Sequence, residues 1–124
     1  MPVQKFAIAD AHFERLDEQE ALIETANVVD QRHGGPVTVG FGRYGPGAVL
    51  EEVIAVYDTM IVLEGEISIT SNVGTVTAEP GDIVYMPEGE RVTIHASNNG
   101  ALTAYVTYPH WEEARASHYA DRRR

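Results

Sequence analysis

The sequence predicts an all-β protein built around one core. Short runs of alternating or β-branched apolar residues recur between Val37 and Tyr108, and clusters of Gly, Pro, Asn and Asp separate them. A chain of 124 residues suits one domain and buries roughly two-thirds of its unfolded surface. The clearest unit is GDIVYMPEGE, residues 81–90, where residues 83–86 read as a strand. Pro80-Gly81-Asp82 opens it and Pro87-Glu88-Gly89 stops it, so turn chemistry brackets it on both sides. Upstream, residues 60–63, 66–70 and 75–78 read as successive strands of an antiparallel meander. Gly65 and Asn72 to Gly74 supply the expected reversals, because both spots ask for backbone angles that Gly and Asn tolerate.

The flanks extend the pattern. Residues 10–24 are expected to form a short helix or turn and then an edge strand, residues 21–29 (ALIETANVV) a strand, and residues 31–36 (QRHGGP) a turn with His33 as an exposed loop residue. In VTVGFGRY, residues 37–44, alternation places Val37, Val39, Phe41 and Arg43 on one face and Thr38, Gly40, Gly42 and Tyr44 on the other. With the first face turned inward, Phe41 lines the interior and Arg43 stands at its mouth, where a guanidinium clamps a carboxylate or phosphate bidentately. The alternative is a solvated Arg at a strand end. Residues 45–47 (GPG) form a turn, and residues 49–56 a strand carrying Glu51 and Glu52. The last strand, residues 102–108, ends at Pro109, which cannot continue a ladder. A short helix is expected over residues 110–121, with Glu112 and Glu113 near its start and arginines near its end, as the helix dipole prefers. Trp111 is expected to pack against the core or a second subunit.

Nineteen acidic residues against nine basic ones give a formal charge of −10, which disfavours nucleic acid and anionic lipid as partners. The terminal Arg122-Arg123-Arg124 reads as a solvated end. No cysteine is present, which excludes disulfides and thiolate chemistry. No apolar run approaches the roughly eighteen residues of a membrane span, so a soluble, cytoplasmic protein is expected.

The run LEGEISI, a hairpin, and then PGDIVYMPEG resembles the two sequence motifs of the cupin superfamily. Asp58 and Gly65 fit the acidic residue, six residues and Gly that end the first motif; Gly81, Pro87 and Gly89 fit the second, and its His position holds Val92. AYVTYPHWEEA, residues 104–114, with VYDTMIVLEGE and GDIVYMPEGERVTI, is similar to the EutQ family of ethanolamine-utilisation proteins over residues 37–111. The resemblance implies a single-domain cupin, a jelly-roll barrel or double-stranded β-helix, with its core over residues 37–109 and a short C-terminal helix. It also implies a homodimer, a link to ethanolamine use and microcompartments, and the acetate kinase activity attributed to that family. Without a gap from Gly65 the family's aromatic-Asp-Glu run places its Glu on Asp58; shifted by one, that Glu becomes Thr59.

In metal-binding cupins two His precede the motif's acidic residue. Counting back from Asp58, their positions hold Ile54 with Glu52, or Val53 with Glu51. His95 is the nearest imidazole, but strand alternation points it away from Val92 and Ile94, and only a β-bulge would turn it inward. No cofactor is therefore expected, with a divalent metal on Glu52, Asp58 and His95 as the alternative. Alternation also turns Asp58, Met60 and Val62 inward, where an unpaired carboxylate is costly and takes up a proton instead. The expected catalytic groups are Asp58, Glu51 or Glu52, and Tyr85; the expected substrate contacts are Arg43, Phe41, Met60 and Tyr105. These point to acid/base chemistry on a small polar or anionic metabolite, an enzyme of the lyase, isomerase or hydrolase kind. The alternatives are a non-catalytic or acetate-kinase-like member of the EutQ family, and the metal-dependent cupin.

Overall fold

In the computed structural model, which describes residues 2–16 and 22–114, eight strands account for most of the chain. They are β1 (Glu14–Arg15), β2 (Ile23–Val29), β3 (Thr38–Tyr44), β4 (Val49–Val53), β5 (Tyr57–Ser71), β6 (Gly74–Ala78), β7 (Ile83–Met86) and β8 (Arg91–Tyr108). All pairing is antiparallel.

Two strands do most of the organising. β5 has 15 residues and β8 has 18, and each runs through two sheets. The first half of β5 pairs with β7 and with the second half of β8, which in turn pairs with β3, β2 and β1. The second half of β5 pairs with β6 and with the first half of β8, which carries β4 on its other edge. Two sheets thus share two bent strands, and their inner faces enclose one core of Ile54, Met60, Val62, Ile67, Ile69, Met86, Val92 and Ile94.

The bend has a local cause. The β5–β8 register slips between Val62 and Glu64 and again between Gly65 and Ile67. Gly65 and Gly100 face this crossing, both at φ 78°, a left-handed conformation that side chains resist. A Cβ on Gly65 would meet the Gly100 carbonyl, and one on Gly100 would lie 2.6 Å from the Tyr44 carbonyl. The expected reversal at Gly65 is therefore a β-bulge inside one continuous strand. The reversal at Asn72 to Gly74 is where the sequence places it, with Ser71 paired to Gly74.

β3 corrects a larger expectation. Thr38, Gly40 and Gly42 are the buried residues, while Val39 and Phe41 are half-buried on the other side and Arg43 is exposed. The inward face is the one poor in apolar residues, because large side chains from β8 fill it. A Cβ on Gly40 would lie 2.5 Å from the Tyr105 hydroxyl, and one on Gly42 2.8 Å from the Thr103 hydroxyl. At the amino end a 3-10 turn (Ile8–Asp10) leads into the two-residue β1 at the sheet edge, while residues 17–21 of the expected 10–24 segment lie outside the described residues. The 31–36 turn holds a 3-10 turn (Gln31–His33) capped by the Asp30 carboxylate. Helix begins at Trp111 and runs to residue 114; the remainder of the expected 110–121 helix, and the arginine run, lie outside the described residues.

Replacing Gly65 or Gly100 with Ala should cost about 2–4 kcal/mol, from left-handed strain plus displacement of a facing carbonyl. Urea titration measures this, and a loss below about 1 kcal/mol would mean that the crossing relaxes freely.

Candidate functional site

The inner faces of the two sheets leave a cavity of about 70 Å³, open at one end. That volume holds about five waters or a molecule of a few heavy atoms. Its walls are apolar over most of their area: Met60 and Met86 form the floor with Ile94 and Leu50, and Tyr44, Tyr105 and Trp111 supply aromatic faces.

Two carboxyl groups enter this wall. Asp58 on β5 and Glu52 on β4 come from different sheets, and both line the cavity. Asp58, Met60 and Val62 face inward in succession, as alternation predicts, while Tyr57 is exposed. The Oδ1 atom of Asp58 is fully enclosed and has no hydrogen-bond partner. Burial, and secondarily the charge of Glu52, push the Asp58 carboxyl up to about 7 from an ordinary 3.8. At neutral pH this group is therefore divided between acid and carboxylate.

Glu51 points the other way and is exposed, which settles the choice between the two neighbours. Glu52 aligns with Val92 across the β4–β8 ladder, and both Val92 and Ile54 are buried core residues. Of the positions where cupin motifs carry imidazole, Ile54 and Val92 hold apolar packing and Glu52 holds a carboxyl group.

Tyr105, on β8, is 8% exposed, and its hydroxyl donates to Asn27 Oδ1. The Trp111 indole N–H donates to the same oxygen at 3.0 Å, and the two rings meet edge to face with centroids 6.5 Å apart. Burial raises the Tyr105 hydroxyl above its usual range, so it stays protonated. Asn27 thus fixes two aromatic walls of the cavity at once, a role that nothing in ALIETANVV signals. The segment before Trp111 is tied down as well: His110 Nε2 donates to the Gly35 carbonyl at 2.9 Å, its Nδ1 is hydrogen-bonded to the buried Thr38 hydroxyl at 2.7 Å, and that hydroxyl lies 3.3 Å from Glu112 Oε1.

The structure separates the remaining expected residues from the cavity. Arg43 is exposed, donates to Glu24 at 3.0 Å and lies 4.1 Å from the Phe13 ring centroid, so it clamps nothing in the cavity. Phe41 shares its outward face. Tyr85 is 60% exposed, on the outer side of β7 opposite Thr59. His95 is exposed between Val49 and Ser68, as plain alternation requires, so it joins neither Glu52 nor Asp58. Among the described residues no three His, Cys, Asp or Glu side chains gather into a metal-holding group. The described residues that line the cavity offer two carboxyl groups, which by themselves do not fit a tight zinc, iron or copper site.

Comparison with known proteins places the fold and then the family. The fold is that of the cupins, with structural matches that include an RmlC-like cupin from Shewanella frigidimarina NCIMB 400 at a TM-score of 0.70 and 12% identity, covering 90% of this chain and 96% of that one. The family model of ethanolamine utilisation protein EutQ matches residues 6–113, and the chain belongs to that family. A structural-genomics protein of unknown function from Rhizobium leguminosarum bv. viciae 3841 is 52% identical, with a TM-score of 0.74, covering 89% of this chain and all of the other. A Salmonella typhimurium LT2 protein, described as a candidate ethanolamine utilization protein Q, is 22% identical with a TM-score of 0.79 and 87% coverage of both chains. No curated protein matches the sequence. No helix among the described residues is long and apolar enough to cross a membrane.

Two outcomes follow from this geometry. A raised native pKa means that the folded state holds the Asp58 proton more tightly than the unfolded state, so the protein loses stability as pH rises from about 4 to about 7 and no further above that. The full effect is on the order of 4 kcal/mol. Asp58→Asn removes the ionisation, so above pH 7 the variant should melt higher than the parent, and the gap should close towards pH 4; equal melting temperatures throughout would mean an ordinary carboxyl. Asn27→Ala leaves the Tyr105 hydroxyl and Trp111 N–H without their acceptor and should cost about 1–3 kcal/mol. Since Trp111 is the single tryptophan, a shift of its emission reports the loosened wall directly.

Proposed function

We propose that this protein is an enzyme that moves protons on a small polar metabolite held inside the barrel. Asp58 is the principal acid/base group and Glu52 its partner. The observation that carries this reading is Asp58 in the apolar cavity lining, with its Oδ1 enclosed and unpartnered and its carboxyl pushed up to about 7. A group at that pKa exchanges its proton most effectively near neutral pH. Two carboxyls in one apolar pocket repel each other's second charge, so one holds a proton while the other is ionised. Tyr105 and Trp111, pinned by Asn27, shape the wall against which the substrate rests. Met60 contributes the floor. The chemistry of this reading rests on the chain's own carboxyl groups. The anion anchor that Arg43 was expected to provide has no counterpart among the described residues that line the cavity.

Family membership supports a second reading, a ligand-binding member without turnover, acting beside the enzymes of ethanolamine use. The two readings separate in deuterium oxide. Small hydroxy, carbonyl and amino metabolites, incubated with the protein and followed by proton NMR, should include one whose carbon-bound proton exchanges or whose skeleton rearranges. Asp58→Asn should then lower the rate by about 100-fold or more, and the pH–rate profile should break near 7. Binding in the same panel without exchange or conversion would favour the second reading, and formation of acetyl phosphate from acetate and ATP would replace both.

A further inference from the structure

The hydrogen bonds that hold the Trp111 wall in place cannot all form around a neutral His110. A carbonyl oxygen only accepts, so the 2.9 Å contact with Gly35 puts a proton on Nε2. Thr38 Oγ1 lies 2.7 Å from His110 Nδ1 and 3.3 Å from Glu112 Oε1, and the hydroxyl has one proton to give to the two. Thr38 is fully buried, which keeps bulk water from supplying another. An ionised Glu112 only accepts, so when it takes the Thr38 proton the hydroxyl oxygen must accept from an Nδ1–H. All three contacts are therefore made together by an imidazolium, opposite in charge to the carboxylate at the far end of the chain. With a neutral ring the hydroxyl turns its proton to Nδ1, and Glu112 loses this donor.

His110 stands at the root of the wall. The Ala114 N–H donates to the His110 carbonyl at 3.4 Å, so the closing helical turn starts from it. The next residue, Trp111, donates to Asn27 and lines the cavity. The same few residues thus tie this turn to Gly35 and to Thr38 at the start of β3, once through the imidazole and once through Glu112. Among the described residues, the other charged or titratable groups around the chain of bonds are few. Arg32, which the charge of Glu112 reaches, is ion-paired with Asp30 at 2.9 Å, and His33 belongs to the same turn. Tyr105 and Asp58 lie across the wall.

We propose that His110 is a positioning residue that works as an imidazolium, closing a Glu112–Thr38–His110–Gly35 chain that holds Trp111 against the cavity, and that loss of its proton loosens this wall. The inference takes from the proton-transfer reading only the cavity as the site, and adds its regulation. Acidity then decides how firmly the cavity is closed, through a proton separate from the one on Asp58.

The test follows two signals in the full chain across the range in which imidazoles change charge, about pH 5 to 8. Nitrogen-15 NMR of the imidazole rings reads the protons on His110, whose signals the His110→Gln variant identifies. The emission of Trp111, the single tryptophan, reads the wall. Asp58→Asn serves as the background, because it removes the carboxyl titration at about 7. As His110 loses its Nδ1 proton, the emission should shift to the red with the same midpoint, and acrylamide should quench it more strongly. Thr38→Val should abolish the shift, Thr38→Ser should keep it, and Glu112→Gln, which needs no buried replacement, should diminish it. An emission that stays constant while His110 titrates, or a shift undiminished in both Thr38→Val and Glu112→Gln, would overturn the inference. Either result leaves the proton-transfer reading to the exchange experiment in deuterium oxide, and absence of exchange there leaves the response of Trp111 to pH untouched.

Discussion

The crossing of β5 and β8 at Gly65 and Gly100 is the constraint on which the rest of the molecule depends. A strand of 15 residues in one flat sheet would span far more than the core needs, and its second half would have nothing to pack against. Bulged at Gly65, β5 serves one sheet with Asp58 to Ile61 and the other with Ile67 to Ser71. β8 does the same around Gly100. Because the two strands are shared, the sheets cannot slide independently, and the inward residues of both are held in fixed register. That register brings Asp58 from one sheet and Glu52 from the other to a common cavity.

Placing a carboxyl there works against stability, and the surroundings show how the cost is contained. Asp58 sits beside Met60 and Val62, the latter fully buried, so its ionised form is poorly solvated, and its Oδ1 lacks a donor. The fold does not neutralise it with an Arg or Lys among the described residues lining the cavity. Instead the carboxyl keeps a proton until about pH 7. A cavity filled with Leu or Met would give a more stable barrel with nothing to react. Stability given up at one enclosed position is a common mark of a functional site.

Much of this was legible in the sequence, and the failures have physical causes. The turns around β7, the Asn72–Gly74 hairpin and the inward facing of Asp58 and Met60 follow from punctuation and alternation, and the family resemblance from motif residues such as Asp58, Gly65, Gly81, Pro87 and Gly89. Alternation failed on β3 because it assigns the more apolar face to the core. There the neighbouring strand supplies the bulk, so Gly40 and Gly42 occupy the inside, and Arg43 and Phe41 move out of the site. Tyr85 was misplaced for a related reason: on β7 the buried member is Met86, and its neighbour faces solvent. Glu51 and Glu52 could not be separated without knowing which register β4 takes against β8, a long-range fact. Asn27 went unnoticed because its value lies in two hydrogen bonds to residues more than seventy positions away.

The same geometry explains what becomes of a cupin barrel when its motif positions lose imidazole. With Ile54 and Val92 in the core and His95 turned outward, the inner wall keeps its acidic members and loses the neutral nitrogen ligands that would share a metal with them. Burial first, and the nearby charge of Glu52 second, hold a proton on Asp58, which is why its carboxyl lies up at about 7 rather than at an ordinary 3.8.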